Sequence, residues 1–94
     1  MYAVYFTNQA IRLIKKLPAD VQDKLKTEAR ALDTNPLAGE PLQGIYRHFR
    51  SLHVGYKGTA YRIIYQVIAK ANEIVVVLAD KRENIYKRLQ GMKI

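Results

Sequence analysis

The chain opens with "YAVYF", Tyr2 to Phe6, which is β-forming throughout and predicts a short strand, after which Thr7 can cap a helix starting at Asn8. Ala10, Leu13, Ile14 and Leu17 then recur at i, i+3, i+4 and i+7, leaving Arg12, Lys15 and Lys16 mostly on the outer face. Pro18 ends this helix and suits the first turn of another, where no backbone donor is needed. Val21, Leu25, Ala29 and Leu32 give the second helix its apolar stripe, and Asp20 and Asp23 in its first turns complement the helix dipole. The pattern predicts a helical hairpin that covers one face of a sheet.

"DTNPLAGEPLQG", Asp33 to Gly44, reads as loop from its proline and glycine content. From there the period changes. Strands are predicted at roughly Tyr46 to Gly55, Tyr61 to Ile68 and Glu73 to Ala79, with turns at "GYKGT" and "AKAN", so that three successive strands form an antiparallel meander. Leu52 and Val54 share one parity of the first strand, leaving Ser51 and His53 on the opposite face. The second strand carries Tyr61, Ile63, Tyr65 and Val67 on one face and Arg62, Ile64, Gln66 and Ile68 on the other, apolar on both sides as a central strand would be. "DKRENIYKRLQG" offers Asp80 and Glu83 at capping-box spacing and Gly91 as a stop, predicting a short terminal helix. The expected fold is a single α+β domain over residues 1–94. Its N-terminal strand and helical hairpin pack on an antiparallel sheet, in the order β-α-α-β-β-β, ahead of a C-terminal helix.

Composition narrows the function. There is no cysteine, which excludes disulfides, thiolate metal sites and thiol nucleophiles. His48 and His53 have no acidic residue near them between Pro41 and Asn72, so neither a metal nor another cofactor is expected. The longest apolar run, Ile74 to Ala79, is far shorter than a membrane span, and the N-terminus lacks the apolar segment of a signal peptide; a soluble cytoplasmic protein is the expectation. The net charge of +8 is lopsided: residues 41–94 hold ten Lys/Arg against three Asp/Glu. Such asymmetry points to a polyanionic partner, nucleic acid first, an acidic protein second and an anionic membrane surface third, the plainer alternative being a basic surface that only keeps the protein soluble.

One residue breaks the apolar logic of the central strand. Arg62 stands among tyrosines, isoleucines and a valine in "TAYRIIYQVI". Near the start of its strand, its side chain can reach the end of the sheet while Ile64 and Ile68 stay buried. His53 and Ser51 lie on the strand that pairs with it; Arg82 follows the last strand, and Tyr86 sits four residues further on the same helical face. Arg62, Arg82, Tyr86 and His53 would then line one basic hollow. Each also has a plainer explanation. Arg62 would equally pair with Glu73, Asp80 or Glu83, Tyr86 would be a core-edge residue, and His53 and Lys57 would be solvated. Arg47, Arg50, Lys87 and Arg88 would be charged faces, with Arg50 snorkelling from the core edge because it shares the parity of Leu52.

Arginines with tyrosine and histidine, without paired carboxylates, suit phosphate, because guanidinium forks bind phosphoryl oxygens in pairs and can stabilise the extra charge of a pentacovalent transition state. In RNA the neighbouring 2′-hydroxyl can act as nucleophile once a base takes its proton, and an acid then protonates the leaving 5′-oxygen. These residue types allow RNA cleavage but equally allow simple binding.

The order of elements, with "SLHVG", then "YRIIYQV", then "VVVLADKRENIYKRL", resembles the RelE/ParE superfamily of toxins, in which a "RVG…YRVIY" strand pair precedes an "HRxxVY" segment. The likeness spans nearly the whole chain and is strongest over residues 51–89. It implies a toxin held by a cognate antitoxin and, on the RelE-like branch, an endonuclease that cleaves mRNA in the ribosomal A site. By motif, Arg62 and Arg82 would hold the scissile phosphate and Tyr86 would stack on a base or assist proton transfer. His53 stands where RelE has a lysine and would serve as base. Lys81 replaces the "HR" histidine and would contact phosphate, and Lys57, Arg50, Arg47 and Ser51 complete the expected RNA-contacting set. ParE-like members share the fold and inhibit DNA gyrase instead. That activity and non-catalytic binding of RNA or antitoxin are the alternatives.

Overall fold

The computed structural model describes residues 1–92. β1 (Ala3–Phe6) leads into α1 (Asn8–Lys15) and α2 (Ala19–Arg30). Thr7 caps α1 as its sequence predicts: its Oγ1 accepts the Ala10 N–H at 3.2 Å and donates to the Val77 carbonyl at 3.4 Å, fastening the helix start to the sheet. Pro18 is the N-cap of α2 rather than a residue of its first turn, and its carbonyl accepts the Gln22 N–H at 2.9 Å.

The rest of the chain adds β2 (Glu40–Pro41), β3 (Arg50–Tyr56), β4 (Thr59–Ile68), β5 (Glu73–Lys81) and α3 (Arg82–Gln90). The sheet order is β1-β5-β4-β3-β2. β3, β4 and β5 form the expected antiparallel meander, but β1 runs parallel to β5, from Ala3 opposite Glu73 to Phe6 opposite Val76, so the sheet is mixed. β2 lies inside the segment read as loop, where two residues pair with Ser51 and Arg50 at the sheet edge; so short a strand has no period to detect, and an edge tolerates its proline. β3 starts at Arg50 rather than Tyr46 because Gly44–Tyr46 turn as a short 3-10 helix. The β3–β4 hairpin closes through Lys57 and Gly58, with φ of 49° and 78°, the left-handed pair that matches strand twist in two-residue turns.

The helical hairpin covers one face of the sheet, where Ile14, Leu25 and Leu32 meet Val54, Ile63, Tyr65, Ile74 and Val76. On the other face Ile85 and Leu89 of α3 pack on Ile64 and Leu78, joined by Leu13. β4 is accordingly apolar on both sides. β5 changes sides midway: Ile64 pairs with Leu78 but Tyr65 with Val76, so Val77 is an extra residue in β5, a β-bulge. Ile74 and Val76 therefore stand with Val67 and Tyr65 over the hairpin, whereas Leu78 and Asp80 stand with Ile64 and Arg62 beneath α3.

Tyr65 fixes the loop ahead of β2. Its ring is fully buried, its hydroxyl donates to the Pro36 carbonyl at 2.7 Å, and it accepts the Gly39 N–H at 2.9 Å. Gly39 is packed so closely that a Cβ there would lie 2.9 Å from the Ser51 carbonyl carbon and oxygen and from Cε1 of Tyr65. Arg50 completes the fastening by donating from Nε to the Gly39 carbonyl at 2.9 Å.

Candidate functional site

The α3-covered face ends in a row of polar residues. Register sets His53 of β3, Arg62 of β4 and Asp80 of β5 side by side across three adjacent strands. Asp80 is 6% exposed, so its carboxylate needs partners from the protein. It has three: Oδ1 accepts the Lys81 N–H at 2.7 Å and Nδ2 of Asn84 at 3.4 Å, and Oδ2 pairs with Nε of Arg88 at 3.1 Å. The capping box expected of Asp80 and Glu83 is thus not formed. Lys81 is the N-cap of α3 and its side chain makes no capping bond, because Asp80 lies one residue earlier, in the sheet.

The consequence falls on Arg62. The ion pairs among the described residues are Lys24–Glu28, Lys57–Asp20 and Arg88–Asp80. Arg62 is half-buried and among the described residues takes part in no ion pair or side-chain hydrogen bond, although a carboxylate is its cross-strand neighbour. A guanidinium held near the start of the central strand with its donors open is a ready site for an anion.

Three shallow depressions meet there. One of about 400 Å³ has Ser51, His53 and Arg62 along its floor, Tyr86 on the α3 side, and Glu40 and Gln43 on the side of β2. A second, of about 530 Å³, lies between the start of β4 and Lys81, Arg82 and Tyr86. The smallest, about 120 Å³, joins His53 and Arg62 to Arg82. Shared residues make them one surface. Arg82 and Tyr86 are exposed, Tyr86 by 63%, and the positive end of α3 adds to the local potential. Ser51, on the floor beside Arg62, is 2% exposed, and among the described residues its buried Oγ has no hydrogen-bond partner, which is unusual for a buried hydroxyl.

The structure therefore brings together His53, Arg62, Arg82, Tyr86, Lys81 and Ser51. It holds three other candidates elsewhere. Arg50 is opposite Tyr65 on the hairpin-facing side, and its donors go to the carbonyls of Gly39 and Leu37. Lys57 lies in the hairpin turn, 2.7 Å from Oδ2 of Asp20, with its ammonium 5.4 Å from the Tyr56 ring centre. The hydrogen bond and charge of Asp20 raise the Lys57 pKa, and those of Lys57 lower that of Asp20. Arg47 is exposed and donates to its neighbour Gly44 at 3.4 Å. The sequence reading missed Glu40 and Gln43, which belong to the segment taken as plain loop, and the role of Arg88. The spacing of Asp80, Asn84 and Arg88, four residues apart each time, was the signal that could have revealed the latter. No group of three or more His, Cys, Asp or Glu able to hold a metal occurs among the described residues.

The sequence model of the ParE-like toxin of type II bacterial toxin-antitoxin systems matches residues 4–90. Among solved structures, the chain is similar to one in the RelBE2 toxin-antitoxin complex of Mycobacterium tuberculosis, with 30% identity and a TM-score of 0.78 over 86% of this chain and 98% of that one. It is also similar to the isolated RelE toxin of E. coli, at 23% identity and a TM-score of 0.69 over 97% of each chain. A chain of the chromosomal ParDE system of P. aeruginosa matches at 13% identity and a TM-score of 0.64, over 86% of this chain and 96% of that one. The last two bear on the fold alone. No curated protein matches the sequence.

Proposed function

This chain belongs to the ParE-like toxins of type II bacterial toxin-antitoxin systems, within the RelE/ParE superfamily, and from the residues gathered in the hollow and the likeness to the RelBE2 chain we propose that it is a ribosome-dependent mRNA endonuclease restrained by a cognate antitoxin. The observation that carries the reading is Arg62: half-buried, beside His53, below Arg82 and Tyr86, and without a carboxylate partner among the described residues. In this reading Arg62 and Arg82 grip the scissile phosphate. His53 takes the proton of the 2′-hydroxyl, whose oxygen attacks phosphorus while the bond to the 5′-oxygen breaks, leaving a 2′,3′-cyclic phosphate and, once protonated, a 5′-hydroxyl. Tyr86, exposed at the rim, stacks on a base or assists that last protonation, and Lys81 adds charge beside it. The solved toxin-antitoxin complex that holds the similar Mycobacterium tuberculosis chain supports a protein partner for this chain too.

The family model favours a second reading, inhibition of DNA gyrase, since its name is that of the gyrase-directed branch. Non-catalytic binding of RNA or antitoxin is the third. The test is an in vitro translation reaction in which mRNA 5′ ends are mapped by primer extension, run beside a gyrase supercoiling assay, with the wild type and Arg82→Ala in both. Cleavage at A-site codons that the variant loses supports the nuclease. Intact mRNA with blocked supercoiling overturns it in favour of gyrase, and inactivity in both assays overturns it in favour of binding alone.

A further inference from the structure

We propose that Arg88 is a positioning residue for the site: by occupying Asp80 it keeps Arg62 open to phosphate. The inference rests on the reading of Arg62 as a phosphate ligand and goes beyond it, because Arg88 belongs to none of the depressions that Arg62 lines.

Asp80 and Arg62 are directly opposite each other on β5 and β4 and on the same face, a relation that brings Cβ atoms to about 5 Å and favours opposite charges as a pair. Asp80 owes that face to the bulge at Val77; with regular alternation it would stand under the helical hairpin with Ile74 and Val76. A buried carboxylate is costly unless a cation or hydrogen-bond donors compensate it, and a cation within reach is strongly attracted to it. Left to the sheet alone, Asp80 would capture Arg62 and neutralise the one guanidinium on the floor of the hollow. Arg88 prevents this by reaching back from α3 to Oδ2 at 3.1 Å, while Asn84 and the Lys81 N–H hold Oδ1. Two arginines around one carboxylate leave a surplus positive charge, and the geometry leaves it on Arg62.

Other cations lie in the neighbourhood of Asp80. Lys16 of α1 and Lys81 line the groove that Asp80 and Arg88 share between α1 and α3, and either would answer the loss of Arg88 if its ammonium reached further than Arg62. Their competition makes the proposal testable. A merely structural Arg88, holding α3 to the sheet, would also leave Arg62 untouched.

The experiment compares wild type, Arg88→Met, Arg88→Met with Asp80→Asn, and the milder Arg88→Gln, each checked for folding by circular dichroism. The Nε–Hε signal of Arg62, identified by its absence in Arg62→Lys, is followed by NMR, and binding is measured with a single-stranded RNA made uncleavable by 2′-O-methylation. Arg88→Met is expected to shift the Arg62 signal downfield, slow its exchange and weaken RNA binding about tenfold, the scale of one charge-assisted hydrogen bond. Adding Asp80→Asn should return the signal to its original position and restore most of the binding. Arg88→Gln should move both readouts the same way by less, which keeps the test open should Arg88→Met not fold. An Arg62 signal that stays put in folded Arg88 variants overturns the proposal, as does binding that stays weak in the double variant. If the signal moves as expected yet Arg62→Ala binds RNA like the wild type, the pairing stands and the phosphate role of Arg62 falls.

Discussion

Replacing Tyr65 by phenylalanine removes one oxygen and keeps the ring that fills the core, so no cavity forms and the cost is polar alone. The hydroxyl serves two backbone groups, accepting from the buried Gly39 N–H at 2.9 Å and donating to the Pro36 carbonyl at 2.7 Å. Loss of the acceptor strands the Gly39 donor, and an unsatisfied buried group costs about 1–3 kcal/mol; the part-buried carbonyl can recover water and adds less. About 2 kcal/mol is therefore expected, which for a chain of this size lowers Tm by roughly 8–16 °C. The loss should be local as well as global. Gly39 and Pro36 anchor the segment that supplies Glu40 and Gln43 to the hollow, so the Gly39 amide should exchange with solvent faster in the variant at temperatures well below unfolding. Thermal and urea denaturation give the first quantity and NMR-detected hydrogen exchange the second. A variant within about 0.5 kcal/mol of the wild type, with Gly39 exchange unchanged, would refute the idea that this hydroxyl pins the loop.

Gly39→Ala tests the same junction from the other side. Its Cβ would meet the Ser51 backbone and the Tyr65 ring at 2.9 Å, and the resulting shift should lower the urea midpoint by the equivalent of about 2 kcal/mol. Arg62→Ala should leave stability within about 0.5 kcal/mol of the wild type by urea denaturation while sharply lowering activity, because among the described residues Arg62 has no ion pair or side-chain hydrogen bond to lose. Asp20→Asn reports on the hairpin tip. Lys57 lowers the Asp20 pKa, so their pair stabilises the fold above the ordinary carboxylate range and loses that contribution as pH falls through it. The raised pKa of Lys57 makes the same contribution persist until pH climbs past the ordinary lysine value. The Tm deficit of Asp20→Asn should thus be full at neutral pH, fade towards pH 3, and shrink in 1 M salt; a deficit equal at all pH values would show that charge is not its source.

The helices and the meander were legible because each is long enough to show a period: Ala10, Leu13 and Ile14 mark one face of α1, and β4 is apolar on both sides. The residues of the hollow followed from hairpin register, which any correct pairing of β3 with β4 sets, so His53 beside Arg62 was within reach of the sequence. What escaped depends on contacts distant in the chain. β2 exists because Tyr65 and Arg50 hold the preceding loop against β3, and nothing in "LAGEPL" announces it. The bulge at Val77 sits inside a run of valines with no glycine to mark it, yet it decides which face Asp80 occupies. Arg50 and Lys57 have the charge expected of an RNA-contacting surface, but carbonyls of the pinned loop and Asp20 of α2 engage them first.

In the proposed function Arg62 serves phosphate chemistry at an RNA 2′-hydroxyl. That role is tested most directly by single-turnover cleavage on programmed ribosomes carrying an A-site codon that is either all-ribose or 2′-deoxy at the scissile nucleotide, with wild type and Arg62→Ala. Cleavage of the ribose codon ending in a 2′,3′-cyclic phosphate is expected, with none of the deoxy codon and a rate about a hundredfold or more lower for Arg62→Ala, the scale of losing one transition-state donor. Equal cleavage of both codons, or an undiminished rate for Arg62→Ala, would contradict it.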